Sequence, residues 1–244
     1  MRASKVSEVA AVAAKIDGWL GKREGPYLYA LARSMPSRGV IVEIGSWKGK
    51  STVWLAKAAE SINGPDVFAI DPHVGGPDLD KVGLFNVRTE AEFLENMRTA
   101  GLSHRVHAIV KSSMSALEEW REPVAFVWID GDHSYESVAQ DFYGWSKYLT
   151  PRGIIAFHDT YSWEGVRRLV DEEVLLLKDF KVLGQVDGIL AVQKVISLGF
   201  WDQLKRNTVR RLRRIYNSAR VHRYHWRALP RKLLRTIAVP RVPV

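Results

Sequence analysis

The chain has 244 residues, 46% of them apolar, which suits one α/β domain with appendages or two small domains. It contains no cysteine, so disulfides, thiolate nucleophiles and cysteine-based metal or iron–sulfur sites are excluded. The net charge of +9 is unevenly spread: residues 203–244 hold 13 Lys or Arg and no acid, leaving −4 on residues 1–202.

Lys5, Glu8, Lys15 and Asp17 punctuate the N-terminal apolar positions, which argues against a signal peptide. No apolar run approaches the roughly 18–20 residues of a membrane span, so the expectation is a soluble, cytoplasmic protein. In residues 4–34, Val6, Val9, Ala10, Ala13 and Ile16, then Leu28, Leu31 and Ala32, recur at helical spacing, with a break expected at Gly25-Pro26. Strands and helices then alternate. Strands are expected at 40–44, 67–70, 106–110, 124–129 and 153–157, and helices at 50–61, 89–100, 114–120, from 135 to before Pro151, and 163–176. Thr89 is the expected N-cap of its helix. A Gly/Pro/Asp stretch at 72–83 is long enough for a substrate loop. Two short runs, 181–183 and 189–192, suggest a closing strand pair with one antiparallel edge strand. Repeated βα units imply a mostly parallel sheet with right-handed crossovers. The expected divisions are 1–35 (helical segment), 36–196 (catalytic domain) and 197–244 (basic arm).

Chemistry concentrates where strands end. Val124–Ile129 breaks into Asp130-Gly131-Asp132-His133-Ser134, and the 153–157 run breaks into His158-Asp159-Thr160. Ligands of open α/β sheets sit at the carboxyl ends of strands, so Asp130, Asp132, His133, His158 and Asp159 should share one rim. Helix capping can account for Asp132 or Ser134, but not for acids at both strand ends. Asp130, Asp159 and His158 are candidate ligands of a divalent cation: carboxylates favour Mg²⁺, and an imidazole leans toward Mn²⁺ or another transition metal. His133 is the first candidate for a general base and Asp132 the second.

The first strand ends in Glu43-Ile44-Gly45-Ser46-Trp47-Lys48-Gly49-Lys50-Ser51. Gly45 and Gly49 allow a sharp turn toward a ligand, and the following helix offers its N-terminal amides. The pattern is neither the dinucleotide fingerprint nor a phosphate-binding P-loop. Glu43 would repel a polyphosphate and suit a cationic ligand. Asp71, ending the second strand, can accept hydrogen bonds from two ribose hydroxyls. Ser112 and Ser113 follow the third strand, where they can bound an adenine.

These segments (VEIGSWKGKST, the acid of FAIDPH, FVWIDGDHSYESVAQDF, LTPRGIIAFHDT and the final hairpin) resemble the class I S-adenosylmethionine-dependent methyltransferases. More narrowly they resemble small-molecule O-methyltransferases with IDGDHSY and HDT signatures, akin to macrolide-sugar and cephalosporin-type enzymes. The resemblance spans roughly residues 24–194. It implies a Rossmann-like seven-stranded sheet with one antiparallel strand. It also implies S-adenosylmethionine on the Gly45–Gly49 loop, with Glu43, Gly45, Ser46, Gly49, Ser51, Asp71, Ser113 and Asp130 as cofactor contacts. In metal-dependent members Mg²⁺ is held by acids after strands four and five, here Asp130 and Asp159. Such members often carry a second acid where this chain has His158.

The expected function is therefore metal-dependent transfer of a methyl group to a hydroxyl. Trp47, His73, Tyr135, Tyr161 and Trp163 lie in or beside the rim turns, favouring a sugar or oligosaccharide acceptor over a phenol or other secondary metabolite; protein or nucleic acid comes last. Two other classes remain open, a nucleotide-binding oxidoreductase and a nucleic-acid or membrane-surface binding module. The loose apolar face of Leu204, Val209, Leu212, Ile215 and Tyr216 among arginines suits an interfacial helix, and equally an arm for assembly into a homo-oligomer.

Overall fold

The computed structural model describes residues 2–76, 80 and 83–221. Two helices, α1 (Arg2–Ala13) and α2 (Glu24–Arg33), precede the first strand, β1 (Val40–Ile44). The helical break falls at 14–23, not at Gly25-Pro26. Both of those residues lie in the first turn of α2, where a proline sacrifices no intrahelical hydrogen bond. Gly25 is required for packing, since a Cβ there would meet Trp54 Cε2 at 2.3 Å.

Then follow α3 (Lys50–Glu60), β2 (Val67–Ile70), α4 (Glu90–Thr99), β3 (Val106–Ile109), α5 (Ser113–Glu119), β4 (Val124–Ile129), α6 (Tyr135–Trp145) and β5 (Leu149–Phe157). The described residues continue with α7 (Glu164–Glu172), a 3₁₀ turn (Val174–Leu176), β6 (Phe180–Val186), β7 (Ile189–Lys194) and α8 (Phe200–Val221). β5 starts four residues earlier than expected. Its Pro151-Arg152 forms a bulge that shifts the register between Val124↔Leu149 and Phe126↔Ile154, with Arg152 at φ 65°.

The seven strands are ordered β3-β2-β1-β4-β5-β7-β6. β7 is antiparallel to both neighbours. The antiparallel strand is thus one place in from the edge, because the tight β6–β7 hairpin inserts its second strand beside β5. Every residue of β4 is buried, as a central strand covered on both faces requires. One core packs α1 to α4 against one face of the sheet, and a second packs α5 to α8 against the other.

The first and last described helices both pack on the body. Val9, Ala13 and Ile16 belong to the first core and Val209 of α8 to the second. Arg213 of α8 is 1% exposed: its Nε donates to Asp171 Oδ1 (2.5 Å), and its other nitrogens donate to Thr160 O (2.8 Å), Thr160 Oγ1 and Gln185 Oε1. The arm beyond Val221 lies outside the described residues.

Candidate active site

Strand order reverses between β1 and β4, so their loops diverge to opposite faces and leave a crevice at the carboxyl ends. A cavity of about 750 Å³ opens there. Its walls come from Gly45–Trp47, Asp71-Pro72, Ser112–Met114, Asp130–His133 and His158-Asp159, together with Gly18-Trp19-Leu20 of the segment between α1 and α2. Sequence reasoning had not placed that N-terminal segment at the site. It is held by Lys50 Nζ, which donates to Gly18 O at 2.8 Å.

On the β1–β2 side, the two glycines answer to the fold. A Cβ on Gly45 (φ +81°) would sit 2.2 Å from Asp130 O, and one on Gly49 (φ +92°) would sit 2.4 Å from Met97 Cε. Both let neighbouring elements approach the loop closely. Ser46 Oγ and Trp47 Nε1 are buried at the cavity wall, with no hydrogen-bond partner among the described residues. Asp71 faces the cavity while Oδ2 accepts from Trp47 N (2.8 Å) and Oδ1 from His73 N (2.7 Å). Each oxygen keeps a lone pair for a ligand hydroxyl.

Glu43 is not brought to the cavity wall. It is fully buried, accepting from Ser51 Oγ (2.5 Å) and Thr52 Oγ1 (2.6 Å) at the start of α3. Burial pushes its carboxyl up to about 8 against the opposing pull of those hydroxyls, so at neutral pH it is largely uncharged. The expected repulsion of anions from Glu43 is therefore absent. Ser51 lines the cavity, but its hydroxyl is committed to Glu43.

Beyond β3, Ser112 caps α5 by accepting from Ser115 N, and Ser113 Oγ accepts from Trp145 Nε1 at 2.8 Å. Ser113 also hydrogen-bonds Asp141, a cavity residue the sequence reading missed. Asp141 is 5% exposed, and burial raises its carboxyl to about 6. The signal was present: Asp141 shares the inward stripe of Val138, Phe142 and Trp145, an odd position for an acid.

On the β4–β5 side, Asp130, His133 and Asp159 each offer one ligand atom, all within 4.8 Å of one another. His133 Nε2 lies 3.4 Å from Asp159 Oδ2, and its ring stacks on Trp163 at 4.7 Å with planes 6° apart. Burial alone would raise the Asp159 carboxyl, but the hydrogen bond from His133 and the charge on His158 hold it below the usual carboxylate range.

His158 does not join that group. Its Nδ1 donates to Asp130 Oδ1 (2.9 Å) and its Nε2 to Glu24 Oε2 (3.2 Å), so both ring nitrogens are spent as donors. Burial favours the neutral ring, yet Asp130, Glu24 and Asp159 together carry it up to about 11. The group of side chains close enough to hold an ion is Asp130, His133 and Asp159; the expected ligand His158 is not among them, its two nitrogens facing Asp130 and Glu24 instead.

Asp132 is exposed at the mouth, with Oδ1 accepting from Ser134 N (2.8 Å), while Ser134 Oγ accepts from Ser137 N and caps α6. Of the five expected aromatics only Trp47 and Trp163 line the cavity, joined by Trp19, whose ring is 5.4 Å from that of Trp47. His73 is buried, its Nδ1 hydrogen-bonded to Thr89 Oγ1 at 2.8 Å, which also diverts Thr89 from its expected capping role. Tyr135 donates to Glu173, and Tyr161 lies under the Arg213 guanidinium, 4.5 Å from ring centroid to Cζ.

Residues 42–160 match the family model described as "Methyltransferase domain". The matched segment covers just under half of the chain. The O-methyltransferase NovP is similar in structure (TM-score 0.61, 17% identity, 72% of this chain and 81% of that one). So is the O-methyltransferase TomG of Streptomyces achromogenes, involved in tomaymycin synthesis and solved in complex with SAM (TM-score 0.55, 19% identity, 78% and 89%). At these identities the likeness is one of fold. The uncharacterized protein y4gI of Sinorhizobium fredii is 26% identical over 144 residues, 58% of this chain; the chain spans 15% of the length of that relative. Among the described residues, no helix is long and apolar enough to cross a membrane.

Proposed function

We propose that the methyltransferase moves a methyl group from S-adenosylmethionine to a hydroxyl of a small molecule, a sugar or oligosaccharide before a phenol, at a divalent-cation site. The observation that carries this reading is the convergence of Asp130, His133 and Asp159 in a cavity that Asp71 also lines. The unpartnered Ser46 Oγ and Trp47 Nε1 suit a polar cofactor on the Gly45–Gly49 loop. Asp71 has lone pairs for two ribose hydroxyls, and Ser113 with Met114 bounds the base. The cofactor's sulfonium is cationic, and Asp130, Asp132 and Asp159 supply negative potential near it.

In-line transfer requires the acceptor oxygen at about 3–3.5 Å from the methyl carbon and at least partly deprotonated. Asp130, His133 and Asp159 fit Mg²⁺ or Mn²⁺, with the imidazole favouring the latter. Such an ion would lower the pKa of a bound hydroxyl and fix its orientation. Asp132, with one carboxylate oxygen tied to Ser134 N, is placed to take the proton at the mouth. Trp19, Trp47 and Trp163 offer faces to the apolar side of a sugar ring.

A second reading rests on the 3.4 Å contact between His133 and Asp159. In the absence of a cation, Asp159 would orient His133 and stabilise its protonated form, making His133 the general base. A screen of hydroxylated acceptors with labelled S-adenosylmethionine, run in EDTA and then with Mg²⁺ or Mn²⁺, tests both. Activity restored only by the ion supports the first reading; full activity in EDTA selects the second and favours a phenol, whose proton is more acidic. No methyl transfer to any hydroxylated acceptor, with transfer to amines or thiols instead, would overturn the proposal.

A further inference from the structure

α8 has two unlike faces. The inner face is fastened to the body through Val209 and Arg213, with Lys205 Nζ donating to Leu183 O (2.6 Å) and Arg206 to Leu177 O (3.0 Å). The outer face carries large apolar side chains: Phe200 is 72% exposed, Trp201 75%, Leu204 48% and Ile215 51%. At α-helical spacing these four and Arg211 fall within one sector of about 100°. Arg214 flanks the sector, and Arg211 and Arg214 are both exposed. Ile196, just before the helix, is fully exposed as well.

Phe200, Trp201 and Leu204 form an exposed apolar cluster on the first turns of a well-anchored helix, with Ile215 farther along the same sector beyond Thr208 and Arg211, and such a cluster marks a contact surface. Its composition selects the partner. Aromatic and aliphatic side chains beside arginines, with no acid from Gln203 onward, match the requirements of an amphipathic helix lying at an anionic bilayer surface. The rings enter the headgroup boundary while the guanidiniums meet lipid phosphates. A nucleic acid would engage the arginines but leave Phe200, Trp201, Leu204 and Ile215 in water. Pairing with a second copy through the same face would bring two arginine-bearing surfaces together with no acid from Gln203 onward to offset them, an unfavourable like-charge contact.

We propose that the outer face of α8 docks the methyltransferase on an anionic membrane surface. This inference does not depend on the reaction the cleft performs. The test is cosedimentation of the full chain with phosphatidylcholine vesicles, with and without phosphatidylglycerol, followed also by tryptophan fluorescence. Binding should be at least about tenfold stronger to the anionic vesicles, with a blue shift from Trp201. A Phe200→Ser/Trp201→Ser variant should lose at least about fivefold in vesicle affinity with its thermal midpoint unchanged. An Arg211→Glu/Arg214→Glu variant should lose the preference for anionic lipid. Failure to bind anionic vesicles, or undiminished binding by the Phe200/Trp201 variant, would overturn the proposal. So would light scattering that shows a dimer dissolved by these substitutions, or tighter binding to duplex DNA than to anionic vesicles at the same salt.

Discussion

Glu24 reaches His158 across 134 residues of sequence, its Oε2 3.2 Å from the imidazole Nε2, and so ties the N-terminal helices to the floor of the cleft. The same carboxylate accepts from Gly21 N (2.7 Å) and Gly188 N (2.8 Å), uniting the entry to α2, the end of β5 and the β6–β7 turn. Glu24→Ala strands all three donors, and should cost about 3–5 kcal/mol in urea unfolding. The His158 contribution has a definite sign with pH. Because the folded pKa is raised to about 11 from 6.5, its stabilisation is fully present below about 6.5 and runs out as pH approaches 11. A pH series on Glu24→Gln should show a shallower decline over that window.

Glu43 acts in the opposite sense to an ordinary carboxylate. Its folded pKa is raised to about 8 from 4.5, so between those values the folded state holds a proton the unfolded state has lost. Stability should therefore fall as pH rises from about 4.5 to about 8, by up to about 1.4 kcal/mol per pH unit from this group. Glu43→Gln keeps hydrogen-bonding capacity for Ser51 and Thr52 but cannot ionise. Denaturant melts at pH 5 and pH 8 should show the variant gaining on the parent at the higher pH.

Asp71 is expected to hold the cofactor's ribose. Asp71→Ala should weaken S-adenosylmethionine binding by at least about tenfold in calorimetry, the loss of one or two charge-assisted hydrogen bonds. Asp71→Asn, which can still accept from one backbone amide, should lose less.

The rim acids should separate chemistry from cofactor binding. Asp130→Ala and Asp159→Ala are each expected to be nearly inactive, and His133→Ala to lose about 10²–10⁴ in kcat while calorimetry shows S-adenosylmethionine affinity retained. His158→Ala should differ from all three by losing fold stability as well, since it removes the cation between Asp130 and Glu24.

Arg213 makes removal of the basic arm costly. Arg213→Ala leaves Asp171 without its guanidinium and frees Thr160, the residue after Asp159. A loss of about 3–5 kcal/mol is expected in chemical denaturation. Deletion after Ser197 should be at least as damaging, which distinguishes a docked helix from an independent appendage.

Much of the fold could be read locally. Unbroken apolar runs such as Val124–Ile129 declare buried parallel strands, and the alternation with helical stripes declares the layered sheet. Asp130 and Asp159 were legible for the same reason: carboxylates directly after buried strands have no packing role and must lie at the ligand-binding edge. Asp71 was legible in the same way.

What the tertiary structure decided concerns partners far apart in the chain. What His158 faces depended on Glu24, contributed by a helix 134 residues away, which takes its Nε2 while Asp130 takes its Nδ1. Whether Glu43 faced the cavity depended on how β1 presents it to Ser51 and Thr52, and burial then removed its charge. The glycines of the first loop were visible, but the backbone of Asp130, which excludes a Cβ at Gly45, was not. Trp19, Asp141 and Arg213 entered the account only when packing placed them. Spacing along a chain reports which face of an element is buried; burial, charge state and hydrogen-bond partner are set by whatever that face meets.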